Sequence, residues 1–133
     1  MTPRQILERA SEADVHKSAI EWMQMQLHPN VIYFHPANGE WRNIATAKRL
    51  KGFGVLPGCA DIIVLYNGRA LCLEMKAPDG GRQSEPQRVF EAKCGFNGIP
   101  YQICRSLDDV IEACRRHGVP TKASNIELAQ VAA

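Results

Sequence analysis

Ala60-Asp-Ile-Ile-Val-Leu-Tyr66, Asn67-Gly68 and Arg69-Ala-Leu-Cys-Leu-Glu-Met-Lys76 follow one another without a break, and this stretch decides the fold. The outer runs are β-rich. An Asn-Gly pair between such runs is a strong hairpin signal, because a type I′ turn needs two residues that tolerate φ > 0. A two-residue loop fixes the register. Tyr66 is predicted to face Arg69, Leu65 to face Ala70, Ile63 to face Cys72, and Asp61 to face Glu74. Opposed residues have Cβ atoms ~5 Å apart, and like charges at that separation repel. A divalent cation would offset the repulsion, and hard oxygen ligands suit Mg²⁺. Lys76 lies two residues beyond Glu74, on the same face of its strand. Two carboxylates and a lysine are thus expected at one end of the hairpin. A cation there could polarise a phosphoryl oxygen and acidify water. Lys76 could help deprotonate that water or stabilise charge building on a phosphate. An E-x-K triplet alone is weak, because solvated hairpin ends carry such charges; the aspartate in register is what favours a metal site.

Outward from the hairpin, the chain reads as alternating helices and strands. Thr2-Pro3 marks a short leading helix, with threonine as cap and proline at the first position. Ser11-Glu-Ala-Asp14 opens a longer helix to about Gln26, with Val15, Ala19, Trp22, Met23 and Leu27 as its apolar stripe. Glu12 is in phase with that stripe and is placed to look toward the sheet. A first-turn glutamate equally complements the helix dipole. Val31-Ile-Tyr-Phe-His35 is a short strand, broken by Pro36-Ala-Asn-Gly39. Residues 43–51 form a short helix capped by Asn43 and stopped by Gly52. Arg42, Lys48, Arg49 and Lys51 lie on or before it. Such a cluster is either a solvated face or a surface for a nucleic-acid backbone.

After the hairpin, Ser84-Glu-Pro-Gln87 has capping-box spacing and starts a helix to about Cys94, ended by Gly95. Gln87 therefore has an ordinary role open to it, reaching back to the Ser84 amide. Pro100-Tyr-Gln-Ile-Cys104 is the last strand. Ser106 caps a final helix from Leu107 to His117, stopped by Gly118. Residues 121–133 read as a weakly held tail after a single domain over residues 1–120, with a short helix from Ile126. The order predicts an α/β fold, a mixed β-sheet flanked by helices.

Composition narrows the classes. The 133 residues are 45% hydrophobic and 23% charged, which suits one core. No apolar run is long enough to span a bilayer, and Met1-Thr-Pro-Arg-Gln5 opens no signal-peptide pattern. The five cysteines show no C-x-x-C spacing, and four of them fall in apolar strand or helix patterns, so they read as buried small hydrophobes in a reducing compartment. The same spacing argues against a zinc site. A net charge of +2 does not by itself imply a nucleic-acid partner.

Several stretches together resemble the VRR-NUC group of the PD-(D/E)XK, restriction-endonuclease-like, nuclease superfamily. They are Ser11-Glu12, His35-Pro-Ala-Asn-Gly39, Lys48-Arg-Leu-Lys-Gly-Phe-Gly-Val-Leu-Pro-Gly-Cys-Ala-Asp61, Leu73-Glu-Met-Lys76, Ser84-Glu-Pro-Gln87, and the run from Gly98 through Tyr101 to Ser106-Leu-Asp-Asp-Val110. The likeness covers roughly residues 11–115. Each motif is loose, and their order and spacing carry the likeness. It implies an αβββαβ core. It also implies catalytic roles for Asp61, Glu74 and Lys76, with Gln87 near the active centre. Glu12 and the Met75 backbone carbonyl would join Asp61 and Glu74 around Mg²⁺, for which Mn²⁺ could substitute. Ala60 stands where the family usually has proline, which shapes local geometry and has no chemical role. The implied activity is hydrolysis of DNA phosphodiesters by a homodimer acting on branched or junction DNA. The implied setting is the cytoplasm of a bacterium or a phage-infected host, with no membrane partner. Two rivals stay open. One is a DNA-binding or assembly subunit with the same fold and no catalysis. The other is an enzyme of another type, such as a phosphohydrolase of small nucleotides.

Overall fold

The computed structural model describes residues 2–37 and 44–124. Its centre is the hairpin. Strands β2 (Ile62–Tyr66) and β3 (Arg69–Met75) pair antiparallel, with Tyr66 opposite Arg69, Leu65 opposite Ala70 and Ile63 opposite Cys72. Asn67 has φ 46° and Gly68 φ 73°, as a two-residue I′ turn demands. Strand β1 (Ile32–Phe34) adds antiparallel to β2, and β4 (Tyr101–Cys104) adds parallel to β3. The sheet order is β1-β2-β3-β4, a mixed four-stranded sheet.

Helix α1 (Pro3–Gln26) and helix α4 (Leu107–Arg116) cover one face. Val15, Ala19 and Met23 of α1 meet Ile62, Val64, Leu71, Leu73 and Met75 of the hairpin and Val110, Ala113 and Cys114 of α4. Each large side chain buried there contributes roughly 1.5–3 kcal/mol. Helix α3 (Glu85–Phe96) covers the other face, where Phe90 and Cys94 pack on Ala60, Ile63, Cys72 and Tyr101. The period-2 alternation of β3 thus sends Leu71, Leu73 and Met75 to α1, and Cys72 and Glu74 toward α3. Helix α2 (Ile44–Gly52) joins β1 to β2.

Four boundaries differ from the sequence expectations. The leading helix and the Ser11 helix are one continuous α1. Thr2 caps it in a capping box with Gln5, and no glycine or proline interrupts residues 4–26. A serine cap signal without a breaker does not end a helix. The first strand is shorter than expected, without Val31 or His35. Helix α3 passes through Gly95 to Phe96, and Gly98, at φ 68°, provides the left-handed turn beyond it. The tail begins held: Thr121 bridges to Leu27, and Lys122–Ser124 form a 3-10 turn. The expected cap Asn43 and the expected helix from Ile126 lie outside the described residues. Among the described residues no helix is long and apolar enough to cross a membrane.

Candidate active site

The β3 strand carries Glu74 to the α3 face and leads directly to Lys76. Both are buried, at 1% and 6% exposure, at the end of an otherwise apolar strand. Buried charges persist where partners hold them, and here the partners are specific. Gln87 Nε2 donates to Glu74 Oε1 at 2.8 Å, and Lys76 Nζ donates to Gln87 Oε1 at 3.0 Å. The same Oε1 accepts from the Ser84 amide at 2.8 Å. Two donors on Oε1 fix which way the Gln87 amide points, so its NH₂ must face Glu74. The capping box and the site role of Gln87 are therefore one arrangement. Tyr101 donates its hydroxyl to Glu74 Oε2 at 3.3 Å and accepts from Gln83 Nε2 at 3.2 Å.

Asp61 sits just before β2, at the same end of the hairpin. Its Oδ2 accepts from the Met75 amide at 2.7 Å. This bond ties Asp61 across to the strand of Glu74, one residue beyond the last ladder pair, Ile62 opposite Leu73. Burial and then the neighbouring Asp61 carboxylate push the Glu74 carboxyl well above the usual range, while the Lys76 ammonium and the Tyr101 hydrogen bond oppose the rise. Asp61 and Glu74 thus lie close enough to interact, although the paired ladder ends at Ile62 and Leu73, short of the pair that the hairpin register predicts.

The α1 side of Asp61 is a cavity of about 310 Å³ lined by Glu12, Ala13, His16, Lys17, His35, Asp61 and Met75. Glu12 and His16 are one helical turn apart and share a face. Glu12 also approaches the loop after Lys76: a Cβ built on Gly81 would lie 3.1 Å from Glu12 Oε1 and 3.6 Å from Lys76 Cδ. Arg105 holds that loop through its guanidinium, donating to the carbonyls of Ala77, Gly80 and Gly81.

Asp61, Glu74, Lys76 and Gln87 therefore converge, and Glu12 and Met75 line the cavity that Asp61 opens into. The basic residues Lys48, Arg49 and Lys51 are exposed on α2, with Arg49 over the Phe53 ring at 5.8 Å. They stand outside the network around Glu74. Arg42 lies outside the described residues. His16, His35, Tyr101 and Arg105 join the site without a signal in the sequence that gave them a role.

The donor set fits a hard divalent cation. Two close carboxylates, one pushed toward its protonated form by burial and then by the other, with Glu12 and Met75 lining the neighbouring cavity, offer oxygen ligands of the kind Mg²⁺ takes. Comparison with protein-family models and with curated proteins returns no match for this chain.

Proposed function

We propose that this protein is a Mg²⁺-dependent deoxyribonuclease of the VRR-NUC type, with the restriction-endonuclease-like αβββαβ core. One observation carries the reading: a buried lysine and a buried glutamate are locked to one glutamine, beside an aspartate that repels the glutamate. Such a set costs stability, and a site that does chemistry would account for its being kept. The order α1, β1, β2, β3, α3, β4, with α2 inserted before β2, is the order such a core requires.

Asp61, Glu74, Glu12 and the Met75 carbonyl would hold the cation. Bound there, Mg²⁺ supplies Lewis-acid polarisation of a phosphoryl oxygen. The remaining work falls to the chain's own groups. Gln87 fixes Glu74 and Lys76 relative to each other. Lys76 presents a positive charge where the phosphate's developing negative charge needs it. Lys48, Arg49 and Lys51, with Arg42, grip the DNA backbone, and such contacts position the substrate without reading its sequence. Contacts of that kind favour selectivity for DNA structure, branched or junction DNA above all. A homodimer provides two such centres by symmetry, as two cuts across a junction need.

The test is a panel of linear, flap and four-way-junction DNAs incubated with Mg²⁺, then with chelator. Mg²⁺-dependent cleavage is expected, strongest on branched substrates. Lys76→Ala is expected to abolish cleavage while DNA binding persists. Cleavage that survives in Lys76→Ala removes the lysine from the mechanism. Binding without any cleavage by the wild-type protein turns the reading into that of a DNA-binding subunit.

A further inference from the structure

His16, His35 and Asp61 each bring a ligand atom to within 4.8 Å of the other two. We propose that these three side chains form a binding site for a divalent transition-metal ion of the zinc type, distinct in chemistry from the oxygen-rich Mg²⁺ set.

The argument begins with the backbone. His35 Nδ1 lies 2.6 Å from the Asp61 carbonyl oxygen. A carbonyl only accepts, so Nδ1 is the donor here and Nε2 is the nitrogen left for a metal ion. A metal-binding histidine commonly has its other nitrogen anchored in this way, because the anchor fixes tautomer and ring orientation. The His16 ring meets the His35 ring edge-on, with centroids 4.7 Å apart.

The third ligand is also anchored. Asp61 Oδ2 is engaged by the Met75 amide at 2.7 Å, which fixes the plane of the carboxylate. The site opens into the cavity of about 310 Å³ over α1, so an ion has a path in and room for water on its remaining positions. Two imidazoles and one carboxylate with an open position match the ligand sets of zinc and related ions. Mg²⁺ prefers oxygen and retains its water, so it gains little from the histidines. The cysteines do not compete, because four of the five are buried and none lines this cavity. The cysteine spacing that argued against zinc was silent about histidines on separate elements. Helix α1, the end of β1 and the start of β2 each supply one ligand.

The inference uses Asp61 as a ligand and does not rest on DNA cleavage, so the two readings fail separately. The test is a titration of the full, metal-stripped chain with Co²⁺, followed by visible absorption. One Co²⁺ per chain is expected, with d–d bands that Zn²⁺ abolishes and that excess Mg²⁺ leaves in place. His16→Ala and His35→Ala are each expected to weaken binding by at least the roughly 10- to 100-fold that removing an outer-shell partner costs. His35→Gln keeps an amide donor for the Asp61 carbonyl and loses the imidazole. It should remain folded by circular dichroism and still lose the bands. His28→Ala should bind Co²⁺ as the wild type does. Absent bands, bands erased by Mg²⁺ as readily as by Zn²⁺, or bands that survive in His35→Gln would each overturn the proposal.

Discussion

Glu74 is the residue on which the energetics of the site turn. In the metal-free protein, burial and Asp61 hold its carboxyl well above the usual carboxylate range. The unfolded chain releases that proton near the ordinary value, about 4.3. The folded protein therefore binds the extra proton at pH values above this, and the linkage has a definite sign. The stabilising contribution is complete below the unfolded value and is lost as pH rises through the raised folded value. Metal-free wild type should lose stability steadily upward from the ordinary glutamate range, and Glu74→Gln should not. Asp61→Asn removes the like charge while keeping an oxygen for the Met75 amide, so its loss of stability should end at a lower pH. At neutral pH it should be as stable as wild type or more stable, by the ~0.2–1 kcal/mol of a cross-strand pair. Added Mg²⁺ should stabilise the wild type, since it binds the folded state, and do little for Asp61→Asn. Denaturant melts at several pH values, with chelator and with Mg²⁺, read all of this. Equal slopes in wild type and Glu74→Gln would assign the titration elsewhere.

Among the elements, α3 positions the glutamine, and a glycine positions α3. Gly58 has φ 79°, and a Cβ there would collide with the Pro86 backbone carbon and fall 2.7 Å from the Gln87 amide nitrogen. Backbone cannot give way as a flexible side chain does, so Gly58→Ala must push the first turn of α3 off the sheet and carry Gln87 with it. Gly54, at φ 94°, has nothing within 4 Å of its built Cβ, so Gly54→Ala carries the backbone strain without the clash. Gly58→Ala should be less stable than Gly54→Ala by the ~1–3 kcal/mol of an overpacked site. It should also lose more cleavage activity. Similar melting temperatures for the two variants would show that α3 does not depend on this close approach. The same elements show what the sequence could reveal. The hairpin turn and its register from Tyr66–Arg69 to Ile63–Cys72 were legible, because Asn67-Gly68 favours one short turn that sets the pairs after it, while the ladder ends before the expected Asp61–Glu74 pair. The Glu74–Gln87 hydrogen bond was half legible: the capping box placed α3, but not the sheet face that α3 covers. His16 and His35 carried no local signal. Their meeting depends on β1 pairing with β2 rather than with β4, and nothing in residues 31–35 specifies a neighbour. Ser11 misled for the opposite reason, being a strong local signal overridden by helix-forming residues on both sides.

At the level of the whole molecule, the charge is arranged in two separate places. Lys76 is buried within the site, and Lys48, Arg49 and Lys51 stand in water on α2. The exposed set should govern how DNA affinity responds to salt, because each phosphate that a cation neutralises releases condensed counterions. Replacing Lys48 and Arg49 by alanine should weaken binding to every DNA sequence alike. It should also flatten the plot of log affinity against log salt by roughly one unit for each phosphate no longer gripped. An unchanged slope makes α2 a solvated face. Catalysis at saturating DNA should change far less than affinity, since neither residue belongs to the Glu74 network.

The buried cysteines, finally, make the protein a two-channel reporter of its own breathing. Cys104 and Cys114 lie in the core between the sheet and the α1–α4 layer, while Cys72 and Cys94 lie between the sheet and α3. Burial raises all four thiols, so the closed protein offers an alkylating reagent almost no thiolate there. Half-buried Cys59 should react first. After that, each pair should be modified only at the rate at which its own layer lifts away, as amide exchange reports local opening. Pulsed alkylation followed by peptide mass analysis then times the two faces independently. A cation at the hairpin end, which α1 and the sheet jointly enclose, should slow the Cys104–Cys114 channel. Gly58→Ala should quicken the Cys72–Cys94 channel and leave the other at its wild-type pace.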